Sequence, residues 1–341
     1  MMVTSACSIH GPTGAWEQLG PAIADLKELV LRADREASRK GTVSPATAAL
    51  IESSFADFEV VFGEMLDSSA CNSDEATRVG ARVRSELHPY TLLSANAERW
   101  CSKPRGYAGD FLTIAGIYED APAGVGRVGP LLDRCFLNLA AARAVRNRRP
   151  LLAREIEATV SACDDRAARV TSLACGPAAE VFDVYEALPD PAALRTTLLD
   201  MDLHALAYVA DRRDSRRLRS QMSLVNENLV HLATGRRTLD IDEQDLVYSV
   251  GLIDYFEDAM VVKLLNFAHA LLRPGGRVVL GNFHPRNPTR ALLDHVLEWP
   301  LIHRTEEEMD RLLRASAFQR SATRVVFEEQ EINLFAECIK A

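Results

Sequence analysis

Hydrophobic and polar positions in the first half of the chain alternate with the period of an α-helix. From Ala15 to Arg39, apolar side chains recur every three or four positions among charged ones, which predicts an amphipathic helix. A second helix is expected after Ser44, because serine caps helices well and proline suits the first helical position. The full prediction is four helices, over Ala15–Arg39, Pro45–Leu66, a third that Asp74 caps and that runs to Leu87, and Leu131–Ala162. Pro89 should end the third helix and Pro150 should kink the fourth.

The pattern changes near Arg166, where short apolar runs rich in β-branched residues begin to alternate with helical stretches. Such an alternation predicts βαβ units and a mostly parallel sheet. The last two runs, Arg324–Glu329 and Glu331–Ile339, are joined by almost nothing, as in an antiparallel hairpin at a sheet edge. The other predicted strands are Arg169–Leu173, Thr196–Asp200, Met222–Glu227, Leu246–Val250 and Gly276–Gly281.

The two patterns together predict an α/β protein in two parts. Residues 1–164 would form a helical N-terminal cap, and residues 165–341 a Rossmann-like domain that ends in an antiparallel strand. No apolar run is long enough to cross a bilayer, and the first twenty residues lack the pattern of a signal peptide. We therefore expect a cytoplasmic protein that does not insert into a membrane.

Charge and cysteine content exclude some functions. The net charge of −9 argues against a nucleic-acid partner, because phosphate binding needs a basic face. A basic run does occur at Arg143, Arg146, Arg148 and Arg149, and we interpret it chiefly as a solvated helix face. The seven cysteines form no CxxC pair, which favours reduced thiols and no metal site.

The first predicted strand runs into the segment SLACGPAAE, which contains Ala174, Cys175 and Gly176. A strand, a glycine turn and a helix start form the usual cradle of a nucleotide, where free backbone N–H groups face the ligand. Only Gly176 of a GxGxxG pattern is present, so an ordinary βα turn fits these residues equally well.

Polar residues also follow the next strands. Asp200 lies at the distance from the cradle where an acid binds ribose hydroxyls, and Met201 follows it. Asp202 is better explained as the N-cap of a helix over His204–Asp211. After the third strand, Asn228 and the adjoining Leu229 could contact an adenine edge, or Asn228 could simply form a turn.

The fourth strand ends in the segment DLVYSVGLIDYF, at the edge of the sheet where ligands of open α/β folds bind. Ser249 and Gly251 are candidates for cofactor contact there. Asp254 and Tyr255 could face a transferred group or a substrate. After the fifth strand, His284 is a candidate general base, although a lone histidine is more often structural.

Together, the segments SLACGPAAE, LLDMD, DLVYSVGLIDYF and LLRPGGRVVLGNF resemble class I S-adenosylmethionine-dependent methyltransferases from Arg169 to Ala341. The resemblance implies S-adenosylmethionine as cofactor, with its adenosine held by Gly176, Asp200 and Asn228. Ala174 departs from the family, which usually has glycine there. The complete predicted cofactor set is Ala174, Cys175, Gly176, Asp200, Met201, Asn228, Leu229, Ser249, Gly251 and Arg146.

Three further segments, KPRGYAGDFLTIAGIY, AVRNRR and LEWPLIHRTEEEMDRLL, resemble a bacterial subfamily with a helical N-terminal extension. That subfamily is associated with methyl esters of 3-hydroxy fatty acids. It is also similar to enzymes that cyclise S-adenosylmethionine to azetidine-2-carboxylate.

The resemblance implies roles for residues outside the α/β domain. Tyr107 could present its ring to the sulfonium, since aromatic faces attract cations, and Asp110 or Asn147 could bind the amino group. Arg146 could hold the methionine carboxylate. His303 and Arg304, in the Trp299–Arg304 segment, could line the pocket. For Tyr107 and Asp110, a structural turn between helices is the alternative.

Three functions follow from these observations. The first is O-methylation of a small molecule, such as the carboxylate of a hydroxy fatty acid. The second is cyclisation of S-adenosylmethionine, in which its amine attacks Cγ and methylthioadenosine leaves. The third is a regulator that binds the adenosyl ligand without turnover.

Overall fold

A computed structural model describes residues 13–67, 72–163 and 165–341. The chain divides into two compact units. The helical unit comprises residues 13–104, 121–139 and 288–300, and the sheet unit comprises residues 105–120, 140–287 and 301–341. No helix in the described part of the chain is long and apolar enough to cross a membrane.

The helical unit is built around aromatic side chains. Phe58 and Phe62 stack with ring centroids 5.7 Å apart, and Trp100 lies edge-on to both Phe136 and Trp299 at 6.2 Å. Trp299 therefore belongs to this core. The helices of the unit are α1 (Thr13–Lys40), α2 (Pro45–Asp67), α3 (Ser73–Thr91), α4 (Ala95–Ser102), α6 (Gly129–Leu137) and α12 (Arg290–His295).

Two helix boundaries differ from those predicted. The N-cap of α3 is Asn72, whose side chain accepts from the Glu75 amide at 3.0 Å, so Asp74 is not the cap. Pro89 lies inside α3, in its last turn, where the missing N–H removes only one helical hydrogen bond.

The long helix predicted over Leu131–Ala162 is wrong, because the structure has α6 and a separate helix from Ala140 to Ser161. Leu137 and Leu139 flank the break and are both buried. The apolar pattern therefore continues across the break, and no residue in the sequence marks the end of α6. Pro150 lies within the helix Ala140–Ser161, as predicted.

The sheet unit contains seven strands in the order β3-β2-β1-β4-β5-β7-β6. The first five are parallel, and β7 is antiparallel to both β5 and β6. This confirms the predicted α/β sheet and its terminal hairpin. The strands are β1 (Ala168–Leu173), β2 (Leu194–Asp200), β3 (Met222–Asn226), β4 (Gln244–Ser249), β5 (Leu272–Phe283), β6 (Arg324–Phe327) and β7 (Asn333–Ile339).

Apolar layers cover both faces of this sheet. Leu246 and Tyr248 belong to one buried cluster and Val247 belongs to the other, since successive side chains of a strand point to opposite faces. The helices of the unit are α5 (Phe111–Glu119), α7 (Ala140–Ser161), α8 (Ala179–Ala187), α9 (Leu203–Ser215), α10 (Leu229–Ala233), α11 (Asp258–Leu271) and α13 (Glu306–Ala315).

Helices α5 and α7 precede residue 164 in the chain but lie in the sheet unit. Helix α7 packs against α5, α8, β1 and β4. The residues predicted to act on the cofactor from outside the α/β domain, Tyr107, Asp110, Arg146 and Asn147, therefore belong to the same unit as the sheet.

Candidate active site

The turn after β1 has an unusual backbone. Ala174 and Ala178 both adopt positive φ angles, of 57° and 49°, and Gly176 between them has φ 51°. Left-handed conformations are unfavourable for alanine and are typical of functional sites. Helix α8 starts directly after this turn, so the N-terminus of the helix lies at the carboxyl edge of the sheet. The turn itself is held by internal bonds, since the Cys175 amide donates to the Leu199 carbonyl and the Ala178 amide to the Cys175 carbonyl, both at 3.0 Å.

Asp200, the last residue of β2, is fixed against this turn. Its Oδ2 accepts from the Gly176 amide at 3.0 Å, and its Oδ1 accepts from the Asp202 amide at 2.9 Å. Burial raises the pKa of this carboxyl, and the backbone donors oppose the rise. Each oxygen keeps a lone pair that could accept from a ligand hydroxyl.

Asp202 caps α9 as predicted, accepting from the His204 amide at 2.9 Å. It has a second role that the sequence pattern did not reveal. Arg105 donates to both of its oxygens, at 2.8 and 2.6 Å, and the Tyr107 hydroxyl donates to Oδ2 at 2.9 Å. These donors lie nearly a hundred residues away in the chain, so no local motif marks the contact.

Residues Arg105–Asp110 therefore form a strap held at the carboxyl edge of the sheet. The Tyr255 hydroxyl donates to the Ala108 carbonyl at 3.4 Å, which ties the strap to the segment after β4. Asp110 ends the strap as the N-cap of α5, accepting from the amides of Leu112 and Thr113 at 2.9 and 3.3 Å. Helix capping is thus the observed role of Asp110.

We predict that Arg105→Gln loosens this strap. Loss of the two-bond ion pair with Asp202 should speed hydrogen exchange of the amides at 105–110 by about tenfold. Tyr107→Phe, which removes one hydrogen bond, should have a smaller effect. Hydrogen-exchange mass spectrometry measures both. Arg195→Gln, at the opposite end of β2, is the control, and unchanged exchange in Arg105→Gln would contradict the assignment of the strap.

The segment after β4 brings another acid to this edge. Asp254 is buried, and its Oδ1 accepts from the Phe283 amide at 2.7 Å. Burial raises the pKa of Asp254 to about 6, against the attraction of Arg148 and Arg304. Ser249, at the end of β4, donates to the Leu173 carbonyl at 2.8 Å and so joins β4 to the turn after β1.

The raised pKa of Asp254 makes stability depend on pH. Between about pH 4 and 6 the folded protein retains a proton that the unfolded chain has released, so the free energy of unfolding falls as the pH rises. Asp254→Asn should lack this loss and be more stable than wild type by about 3 kcal/mol above pH 7. Denaturant unfolding from pH 4 to 8 tests it, with the exposed Glu243→Gln as control. Parallel pH profiles would contradict it.

The basic run on α7 faces in several directions. Arg146 pairs with Asp120 at 3.4 Å, Asn147 donates to Glu328 at 3.0 Å, and Arg149 donates twice to Asp183 at 2.6 Å. Arg148 is instead 4% exposed, so the interpretation of this residue as solvated was wrong.

A signal for Arg148 was present in the sequence. Arg148 continues a stripe of buried side chains on α7 that includes Ala141, Ala144, Leu151 and Leu152. These positions follow the helical spacing of three and four, which places residue 148 on the buried face.

The remaining cofactor candidates lie around the same edge. Asn228 caps α10, its side chain accepting from the Val230 amide at 2.8 Å, while Leu229 is buried. Cys175 is also buried, and burial raises the pKa of its thiol. Met201 is 68% exposed directly after Asp200, which leaves an apolar side chain open to a ligand.

His284 is held by two hydrogen bonds. Its Nδ1 accepts from the Arg286 amide at 3.1 Å, so Nε2 carries the hydrogen and donates to Glu306 at 3.0 Å. Neither nitrogen then has a lone pair for a substrate proton. His303 likewise contacts the Leu301 carbonyl at 3.0 Å. Among the described residues, no cluster of side chains could hold a metal ion.

Comparison with known proteins agrees with this geometry. A family model described as "Putative methyltransferase" matches residues 106–329, more than half of the chain. The "Uncharacterized protein YnbC" of Escherichia coli (strain K12) is 28% identical over 225 residues, which are 61% of this chain and 37% of that relative. The matched region is thus well under two thirds of the relative's length.

A solved structure shows the same fold. A crystal structure from Bordetella parapertussis, described as a possible exported protein, matches with a TM-score of 0.56 at 18% identity and covers 99% of both chains. A second match is the magnesium protoporphyrin IX methyltransferase of Synechocystis PCC 6803 with bound SAH, at 12% identity and a TM-score of 0.46, covering 59% of this chain and 87% of that one. The matched residues include Tyr107, the turn after β1 and Asp200, and the chain therefore belongs to this methyltransferase family.

Proposed function

We propose that the sheet unit binds S-adenosylmethionine and transfers its methyl group to a small molecule. The observation that carries the proposal is the bond of 3.0 Å between Asp200 and the Gly176 amide. It fixes an acid against the turn that leads into α8, at the edge of the sheet where ligands of open α/β folds bind. The acid would accept from the ribose hydroxyls, and Met201 and Asn228 would lie near the adenine.

The sulfonium supplies an electrophilic methyl group when the cofactor is bound. The protein's part is then to align the acceptor and exclude water. The strap supports this part, because Arg105 and Tyr107 fasten it to Asp202, two residues beyond the proposed ribose ligand. Tyr107 remains 44% exposed, so its ring is available to a bound ligand.

The hydrogen bonds of His284 favour an acceptor that is already an anion. Both nitrogens of this candidate base are occupied, so neither has a lone pair for an acceptor proton. A carboxylate needs no base at neutral pH. We therefore propose a carboxylic acid as acceptor, and the hydroxy fatty acids suggested by the sequence resemblance are the first class to test.

Product analysis tests this function directly. The protein is incubated with S-adenosylmethionine, alone and with 3-hydroxydecanoic acid, and the products are identified by mass spectrometry. Adenosylhomocysteine together with the methyl ester would support the proposal, and 3-hydroxydecanamide is the control acceptor without a carboxylate. Methylthioadenosine formed without any acid would indicate cyclisation instead. Binding of S-adenosylmethionine without any product would indicate a regulator that binds the adenosyl ligand.

A further inference from the structure

Arg212, on α9, is a half-buried cation without an anion. In the part of the chain that the structure describes, it has no carboxylate partner and one hydrogen bond, which Nη1 donates to the Pro177 carbonyl at 3.3 Å. Burial lowers the pKa of its guanidinium, and the nearby cations of Arg216 and Arg149 lower it further. Removing a charge from water without a paired anion costs free energy, so the other contacts of Arg212 must offset that cost.

The Pro177 carbonyl belongs to the turn after β1. Pro177 is buried, and no backbone amide of the described residues donates to its carbonyl. Since buried carbonyls almost always have a donor, Arg212 supplies a bond that the turn cannot make for itself. Ala174 and Ala178 in this turn have positive φ angles, and such strained backbone persists only where its surroundings hold it. Arg212 is therefore one of the groups that hold this turn in shape.

The guanidinium of Arg212 also lies against two aromatic rings. Its Cζ atom is 4.2 Å from the ring centroid of Phe182, in α8, and 5.8 Å from that of Tyr208, one turn earlier in α9. Aromatic faces attract cations. Phe182 is fully buried, so this contact fixes the guanidinium against the helix that follows the turn.

Tyr208 extends these contacts to the strap. Its ring packs on that of Phe111, the first residue of α5, with centroids 5.6 Å apart. The guanidinium of Arg105 lies 5.2 Å from the ring centroid of Phe111. Cations and rings thus alternate from Arg105 in the strap to Arg212 beside the turn. The strap and the turn are joined by this row of side chains as well as by the hydrogen bonds at the end of β2.

We propose that Arg212 is a positioning residue of the proposed methyl-transfer site, which holds the turn after β1 and couples it to the strap. The inference rests on the proposed function, in which S-adenosylmethionine binds at this turn. Arg212 acts through its neighbours and does not touch the ligand. Its bond to Pro177 keeps the turn in shape, and its contact with Tyr208 links that shape to the position of the strap.

Calorimetry with adenosylhomocysteine tests the positioning role. Arg212→Met keeps most of the packing but removes the donor and the charge, so affinity should fall by at least about tenfold. Arg212→Lys keeps a cation that can donate to a single carbonyl, and its affinity should stay within about threefold of wild type. Wild-type affinity in Arg212→Met would overturn the role.

Arg216→Met is the matched control. Arg216 also lies against Phe182, 5.3 Å from the ring centroid, but its guanidinium pairs with Glu186 at 2.8 Å. Its replacement should leave the affinity for adenosylhomocysteine unchanged. A loss as large as that in Arg212→Met would reduce the effect to packing on Phe182 and would overturn the positioning role.

A double variant tests the coupling to the strap. Substitutions at independent sites multiply their losses of affinity. If Arg212 and the strap are coupled, Arg105→Gln combined with Arg212→Met should lose less than the product of the single losses, by at least about threefold. The losses of Arg105→Gln and Arg216→Met should multiply. Multiplying losses in the first pair would overturn the coupling.

Hydrogen exchange without ligand keeps the test decisive if Arg212→Met binds poorly because it is unstable. Tyr208→Leu leaves the bond from Arg212 to Pro177 in place and removes the ring that faces Phe111. Exchange of the amides at 105–110 should rise by about fivefold, with the turn at 174–178 unchanged. Unchanged exchange at 105–110 would overturn the coupling. Failure of wild type to bind adenosylhomocysteine would instead remove the proposed function, and Arg212 would then be judged on exchange in both segments.

Discussion

Asp200→Ala should weaken S-adenosylmethionine binding by on the order of ten- to a hundredfold, since a hydrogen bond to a charged group contributes about 1.5–3 kcal/mol. The structure strengthens this expectation, because both oxygens of Asp200 are oriented by backbone amides, those of Gly176 and Asp202. Isothermal titration calorimetry on the folded variant gives the affinity.

Two companion variants separate charge from geometry. Asp200→Asn keeps an oxygen for the Gly176 amide and loses only the charge, so its affinity should lie between those of wild type and Asp200→Ala. Asp202→Ala removes the cap of α9 and the partner of Arg105, which should lower stability more than affinity. Wild-type affinity in Asp200→Ala would refute the ribose assignment.

Arg304→Met should have the largest effect on stability of the substitutions considered. The guanidinium is 2% exposed and donates to the carbonyls of Ile253 and Phe256 and to the side chains of Asn282 and Asp258. Its removal leaves the buried acceptors of Ile253 and Asn282 without this donor, so the free energy of unfolding should fall by about 3–5 kcal/mol.

Denaturant unfolding measures this loss, with Arg311→Met as the control. Arg311 lies on α13 and its side chain is 68% exposed, so its removal should cost less than about 1 kcal/mol. A similar small loss in Arg304→Met would show that solvent or a neighbouring side chain replaces the missing donors. The result would also decide between a structural role for Arg304 and the pocket-lining role expected from the sequence.

The sequence predicted those features that depend on neighbours in the chain. The strands and the terminal hairpin follow from apolar runs separated by turn residues, and the Asp202 cap follows from an acid placed just before a helix. The position of the candidate residues at the carboxyl edge follows from the parallel connections. These signals are local, so a single sequence contains them in full.

Contacts between distant segments could not be predicted in the same way. The pairing of Arg105 with Asp202 and the bond of His284 to Glu306 depend on tertiary packing. The periodicity of α7 did place Arg148 on a buried stripe. A run of arginines nevertheless favours a solvated helix face, because arginine side chains are rarely buried. This general tendency led to the wrong prediction for Arg148.

The aromatic core of the helical unit has a consequence for synthesis on the ribosome. Trp100 packs against Trp299, and the segment 288–300 that carries Trp299 is made after five strands of the sheet. Helix α7, which the sheet unit needs, is made before β1. In a growing chain, both units therefore expose apolar surface until residue 300 has been synthesised. Exposed apolar surface of this kind favours misassembly. Fragments that end before Trp299 should therefore depend on chaperones during expression more than the full chain does.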